Sequence, residues 1–330
     1  MSVRGDRVPM ERNIGMELMR VTEAAALSAS RYMGMGDKEL VDQAAVDAMR
    51  FTLGSIHMDG EVFIGEGEKD EAPMLYIGER IGDGSEPAVQ LAVDPIDGTT
   101  LLSKGLPGAI AVVALSPRGT MNCPRETVYM DKIVVGREAG DVIDINAPVA
   151  DNLRLIARAM RRDVREVTVV VLERPRHAKL LAEIRDAGSR VKLITDGDVA
   201  ASIHAALPEE GVDVLMGIGG TPEGVLSAAA IKCIGGSIQC KAWPRDEQEH
   251  RRAVDAGLDL DMVYTADDLV AGDDVVFAAT GVSSGDLLKG VRYFSGGART
   301  QSLVMRSRSG TVRWIDSTHD IERLDKLRYS

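Results

Sequence analysis

Cysteine, aromatic residues and long apolar runs are all scarce in this chain. Its 330 residues include three cysteines, and aromatic residues make up 4%. Cys123, Cys233 and Cys240 match no zinc-ligand spacing, and Cys123 has no cysteine near it in sequence, so we expect reduced thiols and a cytoplasmic protein. The absence of a long uncharged apolar run and of an apolar segment at the start argues against a membrane span and a secretion signal.

Positive charge is also in short supply. Asp and Glu number 51 against 39 Lys and Arg, which gives a formal net charge of −12. This balance argues against a nucleic acid or an anionic membrane as a partner. An anionic ligand would have to be bound by metal ions or by a few arginines. The 45% hydrophobic and 27% charged residues are typical of a globular protein with one large domain or two ordinary ones.

Two carboxylates follow an apolar run in the first half of the chain. Residues 90–93 read as a buried strand, and Pro95 is expected to end it because proline has no N–H to donate. Asp94 and Asp97 then lie just beyond the strand, and Gly98 allows a close approach to a ligand. Two acids this close need a cation such as Mg²⁺, Mn²⁺ or Ca²⁺, and the helix start that follows suits a phosphate. The alternative is an ordinary Asp-rich turn.

Further acids stand at two other places in this half. Asp37 is predicted to cap a helix that runs to about residue 53, with Asp42 on or beside its apolar face. Asp42 is then either a solvated edge residue or a buried acid that needs a cation. The strand at residues 62–64 is followed by Glu66 and Glu68, which belong either to an exposed acidic loop or to a second set of oxygen ligands.

From about residue 150 the pattern changes to repeated strand–loop–helix units. Apolar strands are predicted at residues 167–172, 191–195 and 212–216, each followed by a polar loop and a helix. This succession predicts an α/β fold with a largely parallel sheet, whose ligands bind beyond the carboxyl ends of the strands. We therefore divide the chain into an N-terminal α+β domain, 1–150, with most of the candidate metal ligands, and a C-terminal α/β domain, 151–330.

The three loops carry distinct chemistry. Arg174 and Arg176 flank Pro175 and could grip a phosphate, although a solvated surface pair is about equally consistent with the pattern. Asp196 and Asp198 could accept hydrogen bonds from sugar hydroxyls, and the alternative is helix capping by Asp198.

The last of these loops is rich in glycine. The glycines of residues 217–220 permit close backbone approach, and Glu223 falls in the first turn of the next helix. Glu223 is either a metal ligand or only a favourable charge at a helix start. His177 is expected to be a structural, hydrogen-bonding residue, because no second histidine stands at a ligand spacing.

Taken together, the loops offer carboxylates, paired arginines and an anion-binding helix start. No Ser–His or Cys–His arrangement, full dinucleotide fingerprint or Walker-type loop stands out. This combination favours hydrolysis of a phosphoryl ester by metal-activated water.

Several motifs resemble those of a known family. Asp94–Pro–Ile–Asp–Gly–Thr99, preceded by Gly65–Glu66, resembles the lithium-sensitive, metal-dependent sugar phosphatase superfamily. Longer stretches over nearly the whole chain look like class II fructose-1,6-bisphosphatase. They are VTEAA at 21–25, IGEGEKDEAPMLYIG at 64–78, RPRH at 174–177, DGDVAA at 196–201, GIGGTPEG at 217–224 and GGARTQS at 296–302. The last of these is also similar to photosynthetic members that hydrolyse sedoheptulose 1,7-bisphosphate.

The resemblance implies a role for individual residues. The implied metal-binding acids are Asp42, Glu66, Asp94, Asp97 and Glu223. The implied contacts to the scissile 1-phosphate come from Asp97, Gly98 and Thr99, and Thr99 would orient the attacking water. The rest of the substrate would be bound by Tyr129, Arg174, Pro175, Arg176, Asp196, Gly197, Asp198 and Gly220. Many class II members carry Glu where this chain has Asp97, and the shorter side chain bears on the choice of metal ion.

The expected protein is a phosphatase with the layered α/β/α/β/α sugar-phosphatase fold. By the resemblance it removes the 1-phosphate of fructose 1,6-bisphosphate with Mg²⁺ or Mn²⁺ and forms a homodimer or homotetramer. The open alternatives are a dual fructose-1,6-/sedoheptulose-1,7-bisphosphatase, an inositol-phosphatase-like enzyme, and a sugar-phosphate-binding regulator without catalysis. We expect neither a nucleic-acid nor a membrane partner.

Overall fold

The computed structural model describes residues 10–67, 74–207 and 211–328. Contacts between Cα atoms divide the chain into two compact units, Met1–Thr120 with Asp273–Ser330, and Met121–Gly272. The boundary predicted at residue 150 therefore differs from the division that the contacts give. The reason is that the chain after Asp273 returns to the sheet of the first unit, which no local sequence pattern reveals.

Helices and strands alternate along much of the chain. The helices are α1 (Ile14–Ala29), α2 (Lys38–Leu53), α3 (Thr99–Ser103), α4 (Val149–Ala159), α5 (Ala178–Asp186), α6 (Asp198–Ala206), α7 (Thr221–Ile234), α8 (Glu247–Asp255), α9 (Ala266–Leu269) and α10 (Ile321–Arg328). The strands are β1 (Asp59–Ile64), β2 (Arg80–Ile81), β3 (Ala88–Asp97), β4 (Ile110–Pro117), β5 (Tyr129–Val135), β6 (Thr168–Leu172), β7 (Arg190–Ile194), β8 (Val214–Gly220), β9 (Ser237–Trp243), β10 (Tyr264–Thr265), β11 (Val276–Gly281), β12 (Arg292–Phe294), β13 (Gly297–Arg306) and β14 (Thr311–Asp320). The α/β fold class is confirmed.

The first unit is built on an eight-stranded sheet. Its order is β12-β13-β11-β4-β3-β1-β2, with β14 paired to β13. Within this sheet β1 and β3 are parallel, and the other pairs are antiparallel. Helix α1 lies against β11, β13 and β4 and buries Leu18, Val21 and Ala25, which recur at helical spacing. The core of this unit therefore forms between the first helix and strands from both ends of the chain.

Strand β3 does not end at Pro95, as the sequence had led us to expect. It runs on to Asp97, and its pairing with β4 shifts register between Asp94 and Asp97. Pro95 lies within this irregularity, where no ladder partner is required of it, so a proline is tolerated. Gly98 follows with φ of 95°, a left-handed conformation that favours glycine, and precedes α3. The predicted helix start after Gly98 is confirmed.

The second unit contains a six-stranded mixed sheet. Its order is β10-β9-β5-β8-β6-β7. Strand β6 lies between β7 and β8 and pairs with both in parallel. Strand β5 is antiparallel to both β8 and β9. The prediction of a largely parallel sheet is thus correct for β6, β7 and β8 but wrong for the other half. Strand β5 enters from earlier in the chain, and its pairing depends on residues far away in sequence.

Two further expectations concern the compartment. The cysteines Cys123, Cys233 and Cys240 are free thiols in the structure. Among the helices that the structure describes, none combines the length and the apolar character needed to cross a bilayer.

Candidate active site

In the first unit, neighbouring strand ends bring the predicted acids to the same edge of the sheet. Parallel pairing of β1 and β3 places Ile64 opposite Ala92, so Glu66 and Asp94 each stand two residues beyond a paired position. The Asp94 carboxylate accepts a hydrogen bond from the Ile96 N–H at 3.0 Å. This hydrogen bond orients the carboxylate near the end of β3, where the pairing with β4 shifts register.

Asp42 and Thr99 meet although they are far apart in sequence. The Thr99 hydroxyl lies 2.8 Å from Asp42 Oδ1 and 3.1 Å from the Ile96 carbonyl oxygen, so it donates its proton to one of these two. Asp42 projects from α2, whose predicted cap Asp37 accepts a hydrogen bond from the Leu40 N–H at 3.0 Å. Burial raises the pKa of Asp42, and the hydrogen bond from Thr99 works in the opposite direction.

Glu66 is the most strongly perturbed acid in this group. Burial, followed by repulsion from the Asp42 carboxylate, raises the pKa of Glu66 to about 7, although Glu66 keeps an exposed surface and water weakens the effect. A cation close to both carboxylates would offset their mutual repulsion and stabilise their ionised forms. Their hard oxygens are also the ligands that Mg²⁺ and Mn²⁺ prefer.

The structure does not assemble the complete metal site. Among the residues that it describes, no three His, Cys, Asp or Glu side chains lie together in a way that could hold a metal ion. Glu68, the further candidate ligand, lies outside the described residues. The ligand set Asp42, Glu66, Asp94, Asp97 and Glu223 therefore stays a prediction, and its donor chemistry fits a divalent cation.

One basic residue in this unit was missed by sequence reasoning. The Lys38 ammonium donates a hydrogen bond to Thr100 Oγ1 at 2.8 Å, and its charge helps to lower the pKa of Asp42. Lys38 is the first residue of α2 and lies next to the predicted cap, so only its position four residues before Asp42 could have suggested it.

In the second unit, Asp198 is bound by a buried lysine. Lys132 on β5 is 1% exposed, and its ammonium forms an ion pair with Asp198 Oδ2. The alternative in which Asp198 caps α6 is wrong, because Gly197 occupies the cap position and Asp198 is the first residue of the helix. Lys132 was missed by sequence reasoning, although a lysine within an apolar strand was an available signal of a buried charge.

The glycine loop makes room for these side chains. A Cβ atom at Gly219 would overlap the Asp198 carboxylate, and one at Gly220 would overlap the carboxylate of Glu223. The predicted close approach at residues 217–220 is therefore explained in part by the protein's own acids.

Glu223 carries an unsatisfied buried atom. Its Oε2 is buried and has no hydrogen-bond partner among the described residues. Burial, followed by repulsion from Asp198, raises the pKa of Glu223, and Lys132 acts in the opposite direction. A buried carboxylate oxygen without a donor suits a cation, so this observation fits the predicted role of Glu223.

The predicted substrate-binding residues of the second unit also lie near one another. The Arg176 guanidinium stacks over the Tyr129 ring at 4.6 Å from its centroid and donates to the Ile218 carbonyl at 2.9 Å. Arg174 lies 3.8 Å from Asp196. Arg176 is thus held in place by the protein, which differs from the solvated surface pair that the sequence left open.

His177 has the structural role that its sequence context predicts. It is 1% exposed, with Nδ1 2.6 Å from the Leu172 carbonyl oxygen, and Nε2 accepts the Ile218 N–H at 2.8 Å. Burial lowers the pKa of His177, which favours the neutral imidazole. Arg176 and His177 together therefore attach the arginine loop to strand β8.

The similarity of this chain to known proteins extends over nearly its whole length. A family model described as bacterial fructose-1,6-bisphosphatase, glpX-encoded, matches residues 12–319. The D-fructose 1,6-bisphosphatase class 2/sedoheptulose 1,7-bisphosphatase of Synechococcus sp. (strain JA-2-3B'a(2-13)) is 43% identical over 94% of this chain and 96% of its own. The fructose-1,6-bisphosphatase class 2 of Haemophilus influenzae is 44% identical over 96% and 99%.

Similarity to solved structures is weaker. The extragenic suppressor protein suhB of Bartonella henselae aligns with a TM-score of 0.33 and 13% identity over 59% of this chain and 73% of that chain. The family match and the two relatives, by contrast, cover almost every element described above, including both groups of candidate site residues. The chain belongs to the family of bacterial, glpX-encoded fructose-1,6-bisphosphatases.

Proposed function

We propose that this protein hydrolyses the 1-phosphate of fructose 1,6-bisphosphate and releases fructose 6-phosphate and phosphate. The fructose-bisphosphatase activity follows from the family and from the names of its relatives. The structural observation that carries the proposal is the hydrogen bond between Thr99 and Asp42 at the start of α3, directly after the strand that carries Asp94 and Asp97. A hydroxyl held by a carboxylate at a helix start suits the orientation of a water beside a phosphate.

A divalent metal cofactor is implied by the family. We propose that it is Mg²⁺ or Mn²⁺ and that the carboxylates of Asp42, Glu66, Asp94, Asp97 and Glu223 hold it. When bound, such an ion polarises the phosphoryl group and makes water a better nucleophile. Support comes from the raised pKa of Glu66 beside Asp42 and from the unpartnered Oε2 of Glu223, both of which a cation would relieve.

The residues of the first unit would carry out the hydrolysis. Thr99 would accept a hydrogen bond from the attacking water while it donates to Asp42, which fixes the direction of the water's lone pair. The N–H groups at the start of α3, after Gly98, would stabilise negative charge on the phosphoryl oxygens. Gly98 adopts a left-handed conformation and, as a glycine, adds no side chain in front of this helix start.

The residues of the second unit would bind the remainder of the substrate. Arg174 and Arg176 would hold the distal phosphate, and Asp196 and Asp198 would accept hydrogen bonds from the sugar hydroxyls. The remaining proposed contacts are Tyr129, Pro175, Gly197 and Gly220. The stacking of Arg176 on Tyr129 supports this role, because an arginine held in place loses less entropy when it binds a phosphate.

Phosphate release from the purified protein tests the proposal. Fructose 1,6-bisphosphate should be hydrolysed with Mg²⁺ or Mn²⁺, and a chelator should stop the reaction.

Variants of the candidate site test the roles of single residues. Thr99→Val should lower kcat by about 100-fold or more, because the hydroxyl that orients water is lost. Glu66→Ala and Asp94→Ala should abolish turnover and leave the fold intact. Asp47→Asn is a matched control, since Asp47 lies on the exposed side of α2 and pairs with Gln43 at 2.7 Å. Wild-type rates in the Glu66 and Asp94 variants would contradict the metal assignment.

A dual activity is the second candidate. One relative carries both the fructose-1,6- and sedoheptulose-1,7-bisphosphatase names, so the same assay should include sedoheptulose 1,7-bisphosphate and inositol 1-phosphate. Comparable rates on the two bisphosphates would make this a dual-substrate enzyme. Binding of the sugar phosphates without any phosphate release would favour a binding protein instead.

We further propose a homodimer or homotetramer in the cytoplasm. Light scattering of the purified protein measures the subunit number.

A further inference from the structure

We propose that Lys132 is a positioning residue that fixes the starts of two helices, one with Asp198 and the other with Glu223. Lys132 belongs to no motif that the sequence singled out. Its ammonium forms an ion pair with Asp198 Oδ2 and lies 3.4 Å from the Gly220 carbonyl oxygen. Asp198 is the first residue of α6, and Gly220 directly precedes α7. One side chain therefore contacts the start of each helix.

Burial of the Lys132 ammonium costs desolvation free energy unless nearby negative groups compensate its charge. Lys132 is 1% exposed, and a helix start carries a partial positive charge that repels a cation. A well-packed apolar residue would suit such a buried position at least as well for stability alone. Burial lowers the pKa of Lys132, but the carboxylates of Asp198 and Glu223 outweigh this effect and keep the ammonium charged. The charge is thus matched to two acids.

The surrounding backbone is shaped around the same group. A Cβ atom at Gly219 would come within 2.6 Å of Lys132 Nζ and would also overlap the Asp198 carboxylate. A Cβ atom at Gly224, in the first turns of α7, would lie 3.9 Å from Lys132 Cδ. The lysine therefore fills the space between β5, β8 and α7, and a displaced ammonium would displace the acids that depend on it.

The consequence is a fixed arrangement of two acids with different tasks. One Asp198 oxygen is committed to Lys132, so the direction of the carboxylate is set before any ligand arrives. The Gly220 contact sets the start of α7, on which Glu223 stands three residues later. Preorganisation of this kind lowers the cost of binding a sugar phosphate and its metal. This inference rests on the proposed function, in which Asp198 binds sugar hydroxyls and Glu223 binds metal.

Product binding provides the test, because it involves no turnover. Fructose 6-phosphate is titrated calorimetrically into wild type, Lys132→Met and Lys132→Arg in the presence of Mn²⁺, and KM and kcat are measured separately. We expect Lys132→Met to raise the product Kd and the Mn²⁺ concentration for half-maximal rate by about 10- to 100-fold. Lys132→Arg keeps the charge and should recover part of this loss. Lys132→Gln replaces the methionine variant if that one does not fold.

A matched control separates positioning from stability. Ser227 of α7 donates a hydrogen bond to Ser202 of α6 at 3.0 Å, so Ser227→Ala weakens a second link between the same two helices without touching Lys132. It should lower the melting temperature and leave the product Kd unchanged. A wild-type Kd and KM in folded Lys132→Met or Lys132→Gln would overturn the positioning role, as would an equal loss of binding in Ser227→Ala. If the wild type itself neither binds product nor releases phosphate, the proposed function fails first.

Discussion

A single buried imidazole, that of His177, attaches the arginine loop to its neighbouring strand. One ring nitrogen is 2.6 Å from the Leu172 carbonyl oxygen and the other accepts the Ile218 N–H, so the ring must be neutral to satisfy both. A Cβ at Gly217 would lie 3.0 Å from Nε2, so the ring also packs closely on the strand. Protonation would leave a donor facing the N–H of Ile218.

This arrangement predicts a pH dependence of stability. The folded-state pKa of His177 lies below its ordinary value of 6.5, so the stabilisation is fully present above pH 6.5 and is lost as the pH falls through the lower, folded-state pKa. Wild type should therefore lose stability between pH 7 and pH 5 more steeply than His177→Gln. At pH 7 His177→Gln should lower the free energy of unfolding by about 1–3 kcal/mol, because buried backbone groups lose their hydrogen-bond partners. Thermal unfolding at several pH values measures this.

His57 offers a control of opposite sign. It is exposed, and its hydrogen bond to Asp83 raises its pKa, so its contribution is fully present below pH 6.5 and is lost at higher pH. His57→Gln should therefore be less stable than wild type mainly at low pH. A His177→Gln variant with the pH profile of wild type would contradict the neutral-imidazole interpretation.

Gly219 gives a second prediction for a single residue. Gly219→Ala should destabilise the protein by about 1–3 kcal/mol, since the added methyl group would have to displace the Lys132–Asp198 pair. Gly54→Ala is the control, because its Cβ would meet only ordinary contacts, the nearest 3.5 Å from the Phe51 carbonyl oxygen. Chemical denaturation compares the two, and equal costs would mean that the loop accommodates the methyl group.

Which single residues could be predicted depended on how local their partners are. Glu66 stands two residues after β1 ends at Ile64 and Asp94 lies within the last residues of β3, so the apolar runs before them were a sufficient local signal. Lys132 was missed because its partner Asp198 is 66 positions away, so only the folded sheet brings the two together. The alternative that Asp198 caps α6 is wrong because the helix begins one residue earlier than a cap at Asp198 requires, with Gly197 in the cap position.

At the level of elements, α1 is joined to its sheet by a chain of hydroxyl groups. Thr22 Oγ1 lies 2.7 Å from Thr280 Oγ1, which lies 2.8 Å from Ser302 Oγ. These residues come from α1, β11 and β13, and two of them belong to the motifs at 21–25 and 296–302. The two distant motifs thus meet through buried polar groups, which also include the Thr300 hydroxyl that donates to Glu23 at 3.0 Å.

Removal of one hydroxyl tests this connection. Thr22→Val keeps the shape of the side chain and should lower the free energy of unfolding by about 1–2 kcal/mol, because a buried hydrogen bond is lost. Thr52→Val on α2 is the control, since Thr52 is only partly buried and bonds to Ala48 within its own helix. Equal, small effects in both variants would show that the chain of hydroxyls contributes little to the packing of α1.

Elements themselves were easier to predict than their pairing. The apolar face of α2 and the buried strands predicted the correct element types, with ends within a few residues. The end of β3 was misplaced because a register shift, and not the end of the strand, accommodates Pro95. The direction of β5 could not be predicted, because antiparallel pairing with β8 and β9 depends on distant parts of the chain.

At the level of the whole molecule, the second unit is an insertion into the first. The chain leaves the first unit after Thr120 and returns at Asp273. The ends of the inserted unit are held together, since Met121 pairs with Val270 and the Asn122 N–H donates to the Leu269 carbonyl at 2.9 Å. A segment with adjacent ends and its own core has the properties of an independently folding domain.

Expression of fragments tests this organisation. Residues 121–272 alone should give a cooperative thermal transition, because both the sheet and the apolar cluster around Val169 and Val214 lie within them. The fragment 151–330, cut at the boundary predicted from sequence, lacks β5 from one sheet and the partner β4 from the other, and should not unfold cooperatively. A cooperative transition for 151–330 and none for 121–272 would favour the sequence-based division.

The pairing of β11 between β4 and β13 also has a consequence for biosynthesis. The ribosome delivers β4 long before β11, with the whole inserted unit between them. Throughout that interval β4 presents an open edge that can pair with other nascent chains. Strand β11 closes that edge, so termination of translation between the insert and β11 would release a chain with a finished insert and an aggregation-prone remainder.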